Sequence, residues 1–516
     1  MIMLQPTSVS EARAFDLFPG PDTPVRPAAP PESEPLSLPV PIAMLGVPFD
    51  KVTTPQALER IGQMIASGRP HYAATANVDF VVQALHDVEL RRLLADADLV
   101  LCDGMPLVWA SRWLGNPLPE RVTGSDLVPQ LLAAAERRGW RVFFLGGTEE
   151  SVARAAERVR ERHPKIQLVG AYSPPFAPLL NMDHEDIVRR VREVRTDLLL
   201  VAFGCPKQEK WIGMQFRKAG VPFSIGVGAT IDFLAGTVRR APRWMQRAGL
   251  EWIFRLLQEP RRLFRRYTTG LWVFGTAILR QWWQLRGVRR QSERSGYVTT
   301  RSTLSGGCEI IRFAERADAA TVHQHHHLWP RLVASRAHLL CDLSQVQFLD
   351  STAVGLLVRL QKQLRDQGRQ MVLVAPAPQV QRVLSLMRLT ELFTVARDQD
   401  AARALLCERL EERNVAVTLN LAGGDEPLAW QGEIVAANEE AVWQMTRVHL
   451  DHPRSRERDL NINLAGVRFM DSTGVRLMVR LRKEARQRGV ALKFTEPQPA
   501  VRNVLRILHM EAYLLN

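Results

Sequence analysis

The chain contains few cysteines and no closely spaced cysteine pair. Its 516 residues include five cysteines, which are scattered along the sequence: Cys102, Cys205, Cys308, Cys341 and Cys407. Their odd number and the absence of a CxxC pair give no indication of a disulfide framework. We therefore expect free thiols in a reducing cytoplasm.

Long apolar runs are also missing. The best candidate for a membrane span, residues 267–279, has thirteen uncharged residues, whereas a helix needs about 20 to cross a bilayer. The N-terminus lacks a basic region followed by an apolar run, so we expect no secretory signal. These absences predict a cytoplasmic protein without a transmembrane helix.

Acidic residues are scarce in one segment. Between Arg239 and Arg290 there are thirteen arginines and two acids, Glu251 and Glu259, and the whole chain has a net charge of +14. Such a patch attracts phosphate groups, whether in nucleic acid, anionic lipid or phosphorylated substrates. No nucleic-acid-binding module is recognisable, so we expect no nucleic-acid partner.

The remaining composition is that of an ordinary globular protein. Hydrophobic residues make up 46% of the chain and charged residues 24%, as in soluble domains, and the length suits about three domains. Residues 1–40 are rich in proline, with serine, glutamate and alanine. We expect this segment to be a mobile extension.

From Ile42 onward, short apolar strands alternate with helical segments. Thr54 is expected to cap the first helix, with Pro55 in its first turn, and residues 80–94 are expected to form one amphipathic helix. The predicted strands are 43–47, 71–76, 99–102, 142–145, 167–170 and 198–203. The alternation predicts the α/β class, with a Rossmann-like, mostly parallel sheet that has helices on both faces.

Polar residues follow several of these strands. Thr75 and Asn77 end one strand, Asp103 follows another, and Lys207, Gln208 and Glu209 follow a third. A further apolar segment ends in Gly226, Gly228 and Asp232. Each group alone could simply form a turn. Together they predict a site at the carboxyl edge of the sheet, where open α/β sheets bind ligands.

Aromatic residues and arginines interleave from Trp244 to Trp283. An apolar helical face rimmed by arginine is typical of a helix that lies at a bilayer interface. Packing into a protein core is the alternative interpretation of the same aromatics. Residues 286–303 are polar and are interpreted as a linker.

The C-terminal half contains an internal repeat. The segment HLLCDLSQVQFLDSTAVGLLVRLQKQLRDQG, from His338, aligns without gaps to DLNINLAGVRFMDSTGVRLMVRLRKEARQRG, from Asp459. The C-terminal half therefore contains two copies of a domain of about 100 residues, at about residues 305–410 and 413–516. In each copy an aspartate precedes a predicted helix, and the following serine, Ser351 or Ser472, is expected to cap it.

A histidine cluster precedes the first repeat. The segment HQHHH spans residues 323–327. Because consecutive residues point in different directions around a helix, they cannot all face one ion. We do not expect a metal site there.

The N-terminal half resembles the WecG/TagA/CpsF family, glycosyltransferase family 26. The motifs TANVDFVVQAL, ADADLVLCDGMPLVWA, RVTGSDL, FFLGG, FGCPKQEKWI, IGVGATIDFLAG and RRAPRWMQRAGLEWIFRLLQEPRRLFRRY occur in the family's order over about residues 40–285. The resemblance implies an inverting enzyme at the cytoplasmic face of the membrane, without a metal ion or other cofactor. It would transfer a sugar from a UDP-sugar to a polyprenyl-diphosphate-linked acceptor, as in the synthesis of enterobacterial common antigen, wall teichoic acid or exopolysaccharide.

The resemblance also implies roles for particular residues. Asp103 matches the position proposed as the general base. The other matched positions would bind substrate; they are Thr75, Asn77, Gly146, Gly147, Lys207, Gln208, Glu209, Gly226, Gly228, Asp232, Arg255, Arg262 and Arg265. The spacing of the three arginines would place them on one helical face, subject to a bend at Pro260.

Both C-terminal copies resemble STAS domains, the fold of anti-sigma-factor antagonists, on the motif FMDSTGVRLMVRL and its counterpart. In many members a partner kinase phosphorylates the serine after the aspartate, which implies that Ser472 and Ser351 are phosphorylation candidates. Ala353 stands in the first copy where glycine is usual. A plain helix cap in a scaffold domain is the alternative role for these serines.

The sequence therefore predicts a membrane-peripheral glycosyltransferase with two small α/β STAS domains. The expected parts are an extension (1–40), a transferase domain (41–285) whose basic amphipathic segment is 239–285, a linker (286–304) and STAS domains at 305–410 and 413–516. The STAS copies would bind a kinase or an anti-sigma-like protein. The alternative is a catalytically weak scaffold that acts through its STAS domains.

Overall fold

The computed structural model describes residues 39–247, 250–258, 260–289, 300–304, 307–412, 428–450 and 460–515. The predicted extension, residues 1–40, lies almost entirely outside this part of the chain. Among the described residues, no helix has the length and apolar character that crossing a bilayer requires.

The N-terminal part consists of alternating strands and helices. Its strands are β1 (Ile42–Met44), β2 (Val47–Phe49), β3 (His71–Ala76), β4 (Leu99–Cys102), β5 (Arg141–Gly146), β6 (Gln167–Tyr172), β7 (Leu198–Ala202) and β8 (Phe223–Gly226). Its helices are α1 (Thr54–Ala66), α2 (Val78–Ala84), α3 (Val88–Asp96), α4 (Met105–Trp113), α5 (Gly124–Arg138), α6 (Glu149–Arg162), α7 (His184–Glu193), α8 (Lys207–Ala219), α9 (Thr230–Ala235), α10 (Arg243–Arg247), α11 (Glu251–Gln258) and α12 (Pro260–Arg289).

Strands β3 to β8 form one parallel sheet in the order β4-β3-β8-β7-β5-β6. Alternate residues of a strand point to opposite faces. In β7, Leu199 and Val201 join one apolar core, whereas Leu198 and Leu200 join another. Helices therefore cover both faces, which explains why this strand is apolar throughout. The predicted fold class is confirmed.

Three local predictions need correction. Residues 43–47 were predicted as one strand, but β1 and β2 form a hairpin because Leu45 and Gly46 adopt positive φ. Thr53, not Thr54, caps α1 in a reciprocal bond with Gln56. The predicted helix 80–94 is two helices, because the Asp87 side chain accepts a hydrogen bond from Leu90 N and starts a new helix there.

The described part of the basic segment is helical. Proline has no N–H to donate and fits the first turn of a helix. The described residues of α11 run to Gln258, and those of α12 begin at Pro260. Residue 259 lies outside the described residues, as do the side chains of Arg255, Arg262 and Arg265, so one shared helical face stays a prediction.

The C-terminal part contains the two repeated domains. The first comprises β9 (Thr300–Leu304), β10 (Cys308–Arg312), β11 (Arg316–Ala317), α13 (Ala319–Gln324), α14 (Leu328–Ala334), β12 (His338–Asp342), β13 (Phe348–Leu349), α15 (Ser351–Asp366), β14 (Met371–Val374), α16 (Pro378–Leu386), β15 (Thr394–Ala396) and α17 (Gln399–Glu412). The second comprises β16 (Leu428–Ile434), α18 (Glu439–Leu450), β17 (Leu460–Met470), α19 (Ser472–Gln487), β18 (Leu492–Thr495), α20 (Pro499–Ile507) and α21 (Glu511–Leu515).

The two copies build similar sheets. The first has the strand order β15-β14-β12-β10-β9, and the second β16-β17-β18. Strand β9 pairs antiparallel with β10, and α12 extends to Arg289. Both ends of the predicted linker, residues 286–304, are therefore regular secondary structure, because the edge of the first sheet accepts β9 as a further strand.

In both copies the aspartate caps the helix. Asp350 accepts hydrogen bonds from Thr352 N and Ala353 N, at 2.8 and 2.9 Å. Asp471 does the same for the corresponding residues of α19. The prediction that Ser351 and Ser472 cap these helices is wrong. A carboxylate at this position reaches the second and third N–H groups of the helix, which leaves both serine hydroxyls to other partners.

Candidate active site

A cavity of about 570 Å³ lies at the carboxyl edge of the six-stranded sheet. Its wall includes residues that directly follow β3, β4, β7 and β8, which are neighbours in the sheet. Parallel strands end at the same edge, so this is where the predicted ligand site should form. Helices α11 and α12 complete the wall with Trp252, Gly270 and Leu271.

Six of the predicted site residues share this wall. They are Thr75, Asn77, Asp103, Gln208, Gly228 and Asp232. Five others lie away from it; they are Gly146, Gly147, Lys207, Glu209 and Gly226. The side chains of the predicted residues Arg255, Arg262 and Arg265 lie outside the described part of the structure.

Asp103 stands between β4 and α4. Its backbone N–H donates to Ala76 O at 2.9 Å, which ties it to the end of the neighbouring strand β3. The residue is only half buried and borders the cavity. Burial, and then the Asp103 charge, raise the pKa of the adjacent Cys102 thiol well above its usual range. Cys102 is therefore a protonated thiol at this strand end.

Thr75 and Asn77 hold the end of β3. Thr75 Oγ1 donates to Gly226 O at 3.1 Å and joins β3 to β8. Asn77 Oδ1 accepts from Asp79 N at 3.0 Å and Phe80 N at 3.3 Å, which caps α2. Because the cap uses the carboxamide oxygen of Asn77, its amide N–H groups are those that remain for a ligand.

Gln208 clamps two loops of the cavity. Its Oε1 accepts from Gly204 N at 3.1 Å and from Gly228 N at 3.2 Å. These glycines follow β7 and β8, so one side chain fixes both strand ends. Gly226 leaves room for this arrangement, since a Cβ there would lie 2.5 Å from Gln208 Nε2. Gly226 thus acts through Gln208 rather than at the cavity surface.

Glu209 supports the clamp from behind. Its Oε1 accepts from Gln208 Nε2 at 2.7 Å. Burial raises the pKa of Glu209 to about 7, and the Gln208 hydrogen bond opposes this shift only in part. A carboxyl group that is half protonated near neutral pH is a feature that the sequence did not reveal.

The other predicted residues outside the cavity have structural contacts. Lys207 Nζ donates to Ala177 O at 2.6 Å and lies over the ring of Phe203. Gly146 and Gly147 form the turn after β5, both with positive φ. A Cβ on Gly146 would lie 2.8 Å from Ala202 O of β7, so this turn needs glycine for packing.

The structure adds Arg121 to the site. Among the described residues it is the one lysine or arginine on the cavity wall. Its guanidinium pairs with Glu251 at 3.3 Å and with Asp126 at 3.4 Å, and Arg240 bridges the same two carboxylates. Arg121 belongs to the motif RVTGSDL, so its basic character two residues before the cap of α5 was the available signal.

Several helices begin at the cavity. The first turns of α4, α5 and α8, or the residues just before them, contribute Gly104, Gly124 and Gly204 to the wall. Unpaired N–H groups and the helix dipole make such ends favourable to anions. These helix ends and Arg121 share the wall with the carboxylates of Asp79, Asp103, Asp232 and Glu251. The cavity therefore combines groups that favour an anionic ligand with carboxylate side chains.

The two STAS-type serines are buried against the N-terminal part. Ser472 Oγ donates to Glu89 Oε2 at 2.7 Å, and Ser472 N donates to Glu89 Oε1 at 2.7 Å. Ser351 Oγ accepts from Gln281 Nε2 of α12 at 3.1 Å. Both hydroxyls therefore face partners within this chain.

Comparison with known proteins agrees with this division of the chain. The model of the glycosyl transferase WecG/TagA/CpsF family matches residues 42–288, and the STAS domain model matches residues 301–402 and 426–515. A solved structure of the anti-sigma factor antagonist SpoIIAA in its unphosphorylated form is 18% identical, with a TM-score of 0.20, over 21% of this chain and 96% of that one.

Curated relatives cover the N-terminal part. An N-acetylglucosaminyldiphosphoundecaprenol N-acetyl-beta-D-mannosaminyltransferase of Bacillus spizizenii is 32% identical over 209 residues, which are 40% of this chain and 79% of the relative. A Staphylococcus aureus protein of the same name is 29% identical over 238 residues, 46% of this chain and 92% of the relative. This chain is thus a glycosyltransferase that belongs to the WecG/TagA/CpsF family and carries two STAS domains.

Proposed function

We propose that the chain transfers a sugar from a UDP-sugar to a polyprenyl-diphosphate-linked saccharide, with inversion at the anomeric carbon. The sugar would be of the N-acetylmannosamine or hexose type, and the product would enter bacterial surface polysaccharide synthesis. The observation that supports this most directly is the cavity in which Asp103 stands beside helix N-termini and Arg121. The names of the curated relatives support the lipid-linked acceptor and the N-acetylmannosamine donor.

Asp103 is proposed as the general base. The acceptor hydroxyl attacks the anomeric carbon, the bond from that carbon to the UDP oxygen breaks, and the hydroxyl proton passes to the Asp103 carboxylate. Carboxylates are weak bases in general. Much of the rate enhancement must then come from positioning the acceptor and donor.

The leaving UDP gains negative charge in this step. The N-terminal ends of α4, α5 and α8 supply backbone N–H groups, and Arg121 supplies a cation. Fixed donors of this kind stabilise charge that develops in a transition state. In this proposal Gly228 and Asp232 bind on the nucleotide side, while Thr75, Asn77 and Gln208 lie around the sugar and diphosphate.

An exposed aromatic stripe supports docking on the inner face of the cytoplasmic membrane. Four exposed apolar residues of α12 recur at helical spacing on one face: Phe264, Trp272, Leu279 and Trp283. Trp109 and Trp113 of α4 are also exposed. Both helices contribute to the cavity wall. Amphipathic helices with such faces bind bilayer interfaces, which would leave the polyprenyl chain in lipid while its sugar reaches Asp103.

The STAS domains are proposed to regulate the enzyme or to dock a partner, such as a kinase or an anti-sigma-like protein. Ser472 and Ser351 remain the candidates for phosphorylation. Both are almost completely buried, so a kinase would have to act on a form in which the STAS domain has moved away from the transferase domain. Mass spectrometry of the protein from its host would find phosphate on Ser472 under at least one growth condition if this is correct.

Release of UDP tests the main proposal. The full chain is incubated with a panel of UDP-sugars and a polyprenyl-diphosphate-sugar acceptor analogue, and we expect release that depends on the acceptor. The Asp103→Asn variant should lower kcat about 100- to 10,000-fold while it still binds UDP. Retained turnover would contradict the assigned base, and no release with any donor would favour the scaffold alternative.

A further inference from the structure

A network of buried polar side chains joins the second STAS domain to the transferase domain. Ser472 lies at the start of α19 and gives both its backbone N–H and its hydroxyl to the Glu89 carboxylate. Lys210 Nζ lies 2.8 Å from Glu89 Oε2 and 2.8 Å from Asp87 Oδ2. All four side chains are buried. Such a set of charges is stable only while every member keeps its partner.

The polar contacts that begin at Ser472 end next to the cavity. Lys210 belongs to α8, whose first turn also carries Gln208. Gln208 fixes the loops after β7 and β8 through Gly204 and Gly228. A rigid helix start therefore connects the Glu89 contact to the backbone of the cavity wall.

The first STAS domain makes an analogous contact. Gln281 of α12 donates to Ser351 Oγ, and its Oε1 accepts from Leu45 N. The same helix lends Gly270 and Leu271 to the cavity wall. Ser351 is thus bonded to α12, a helix that borders the cavity. Ser472 is bonded to Glu89, whose carboxylate pairs with Lys210 of α8, another helix at the cavity.

Helix α3, which carries Glu89, lies between the two STAS domains. Arg92 pairs with Glu433 of the second domain at 3.2 Å and donates to Glu391 O of the first at 3.1 Å. Arg92 also lies 3.7 Å from the centroid of the Phe469 ring. The α3 surface is therefore specifically matched to the STAS pair.

We propose that the α3–α8 face is an intramolecular docking surface for the N-terminal end of α19, and that Glu89 and Lys210 are positioning residues through which this docking holds the Gln208 clamp. The inference rests on the proposed UDP-sugar transferase function. It makes the affinity of the cavity for the UDP part of the donor depend on the docked second STAS domain. Any external protein that binds the Ser472 surface then competes with the transferase domain.

The test introduces one charge at the contact in the full chain. Ser472→Asp sets a second carboxylate against Glu89, and repulsion in a buried site should separate α19 from α3. We expect the dissociation constant for UDP, measured by calorimetry, to rise at least 5-fold, the lower range of allosteric coupling. Hydrogen exchange at the Gly204 and Gly228 amides should accelerate at the same time. KM for the donor should rise more than kcat falls.

Two variants serve as controls. Gln487→Glu adds the same charge at an exposed position of α19 and should change neither UDP affinity nor exchange. The double variant Glu89→Gln with Ser472→Asp restores a donor–acceptor pair and should recover most of the UDP affinity. If Ser472→Asp does not fold, Ser472→Ala, which removes only the hydroxyl donor, takes its place with a smaller expected change in the same direction.

Exchange of the α19 amides separates the outcomes. Fast exchange there with unchanged UDP affinity and unchanged Gly204 and Gly228 exchange would show undocking without coupling and overturn the inference. Unchanged exchange everywhere would show that the Glu89 contact does not hold the domain, which also overturns it. UDP binding and exchange need no turnover, so a chain that shows the coupling but releases no UDP from any donor would contradict the transferase proposal alone.

Discussion

At the scale of single residues, the site is built from side chains that bond to the backbone of neighbouring strands. Thr75 and Gln208 each join two strand ends, and Asp103 is held by the end of β3. The identity of these residues is therefore fixed by the sheet edge as much as by any ligand. Substitutions here should affect binding and stability together, unless they are isosteric.

Glu209 gives a prediction for the pH dependence of stability. Its folded pKa of about 7 exceeds the ordinary value of 4.5 because of burial, so the native state holds a proton that the unfolded state releases. Stability should fall as the pH rises from about 4.5 to 7 and stay low above that. Glu209→Gln should remove up to about 3 kcal/mol of this dependence, measured by urea unfolding at several pH values.

The comparison must separate Glu209 from other buried acids. Burial also raises the pKa of Asp350 to about 6 and that of Asp471 to about 7, so a residual slope of the same sign should remain in the variant. The exposed Glu157→Gln on α6 controls for the loss of one charge. An unchanged slope in Glu209→Gln would show that Glu209 is ionised throughout.

Arg121 gives a prediction for nucleotide binding. Among the described residues, Arg121 is the one lysine or arginine on the cavity wall, and Arg121→Ala removes its charge. A charge-assisted hydrogen bond is worth about 1.5–3 kcal/mol. We expect UDP to bind about 10- to 100-fold more weakly by calorimetry. The exposed Arg112→Ala on α4 should bind as the wild type does. Equal binding by both variants would place the diphosphate away from Arg121.

At the scale of elements, α12 has two different faces. Its buried side carries Phe274, Ile278 and Gln281, and its exposed side carries Trp272 and Trp283. Gln281 bonds at once to the β1–β2 hairpin and to the first STAS domain. The same helix thus holds the molecule together on one side and presents aromatics on the other.

The exposed side should bind lipid. Replacing Trp272 and Trp283 by serine should reduce co-sedimentation with anionic liposomes several-fold, because each buried indole supplies apolar area at the interface. UDP binding should be unaffected, since neither residue borders the cavity. Replacing the exposed Phe176 by serine is the matched control. Unchanged sedimentation of the double variant would argue against this stripe as the membrane surface.

The elements themselves were largely predictable from sequence, and the corrections have local causes. Strands of the parallel sheet are apolar on both faces, so β3, β4 and β7 were recognised by their composition. The break at Asp87 was missed because the apolar pattern continues across it, and a side-chain cap starts the new helix. Asp471 was not recognised as the helix cap because a following serine is an equally good candidate by type.

The cavity was predictable only in outline. Asp103 and Asn77 were predicted to lie at the site because they are polar residues at strand ends, and parallel strands end at the same edge of a sheet. The contact of Glu89 with Ser472 was not predictable, because the two residues are 383 positions apart. No sequence pattern links residues at such a separation. The burial of Lys210 was not predictable either, because lysine side chains near the start of an amphipathic helix are ordinarily exposed.

At the scale of the whole molecule, the first STAS domain is joined to the transferase domain by a row of ion pairs along α15. Arg359 pairs with Asp50, Lys362 with Asp98 at 2.7 Å, and Arg365 with Asp96 at 2.5 Å. Ala43 and Ala95 also belong to the apolar core of this STAS domain. We expect these two parts to unfold in one calorimetric transition.

Arg359→Ala should split that transition. The variant leaves the buried carboxylate of Asp50 without its cation, which costs about 2–3 kcal/mol at the contact between the two domains. A lower-temperature transition for the first STAS domain should then separate from that of the transferase domain. The exposed Arg382→Ala on α16 is the control. A single transition in Arg359→Ala would mean that apolar packing alone couples the domains.

The burial of Glu89 has a consequence during protein synthesis. Glu89 and Lys210 emerge from the ribosome long before Ser472, which follows Glu89 by 383 residues. At about 5–20 residues per second, Glu89 precedes its partner by roughly 20–80 s. For that interval the nascent transferase domain exposes to water, chaperones and neighbouring chains a surface that the folded protein covers. The second STAS domain, which is translated later, then covers this surface.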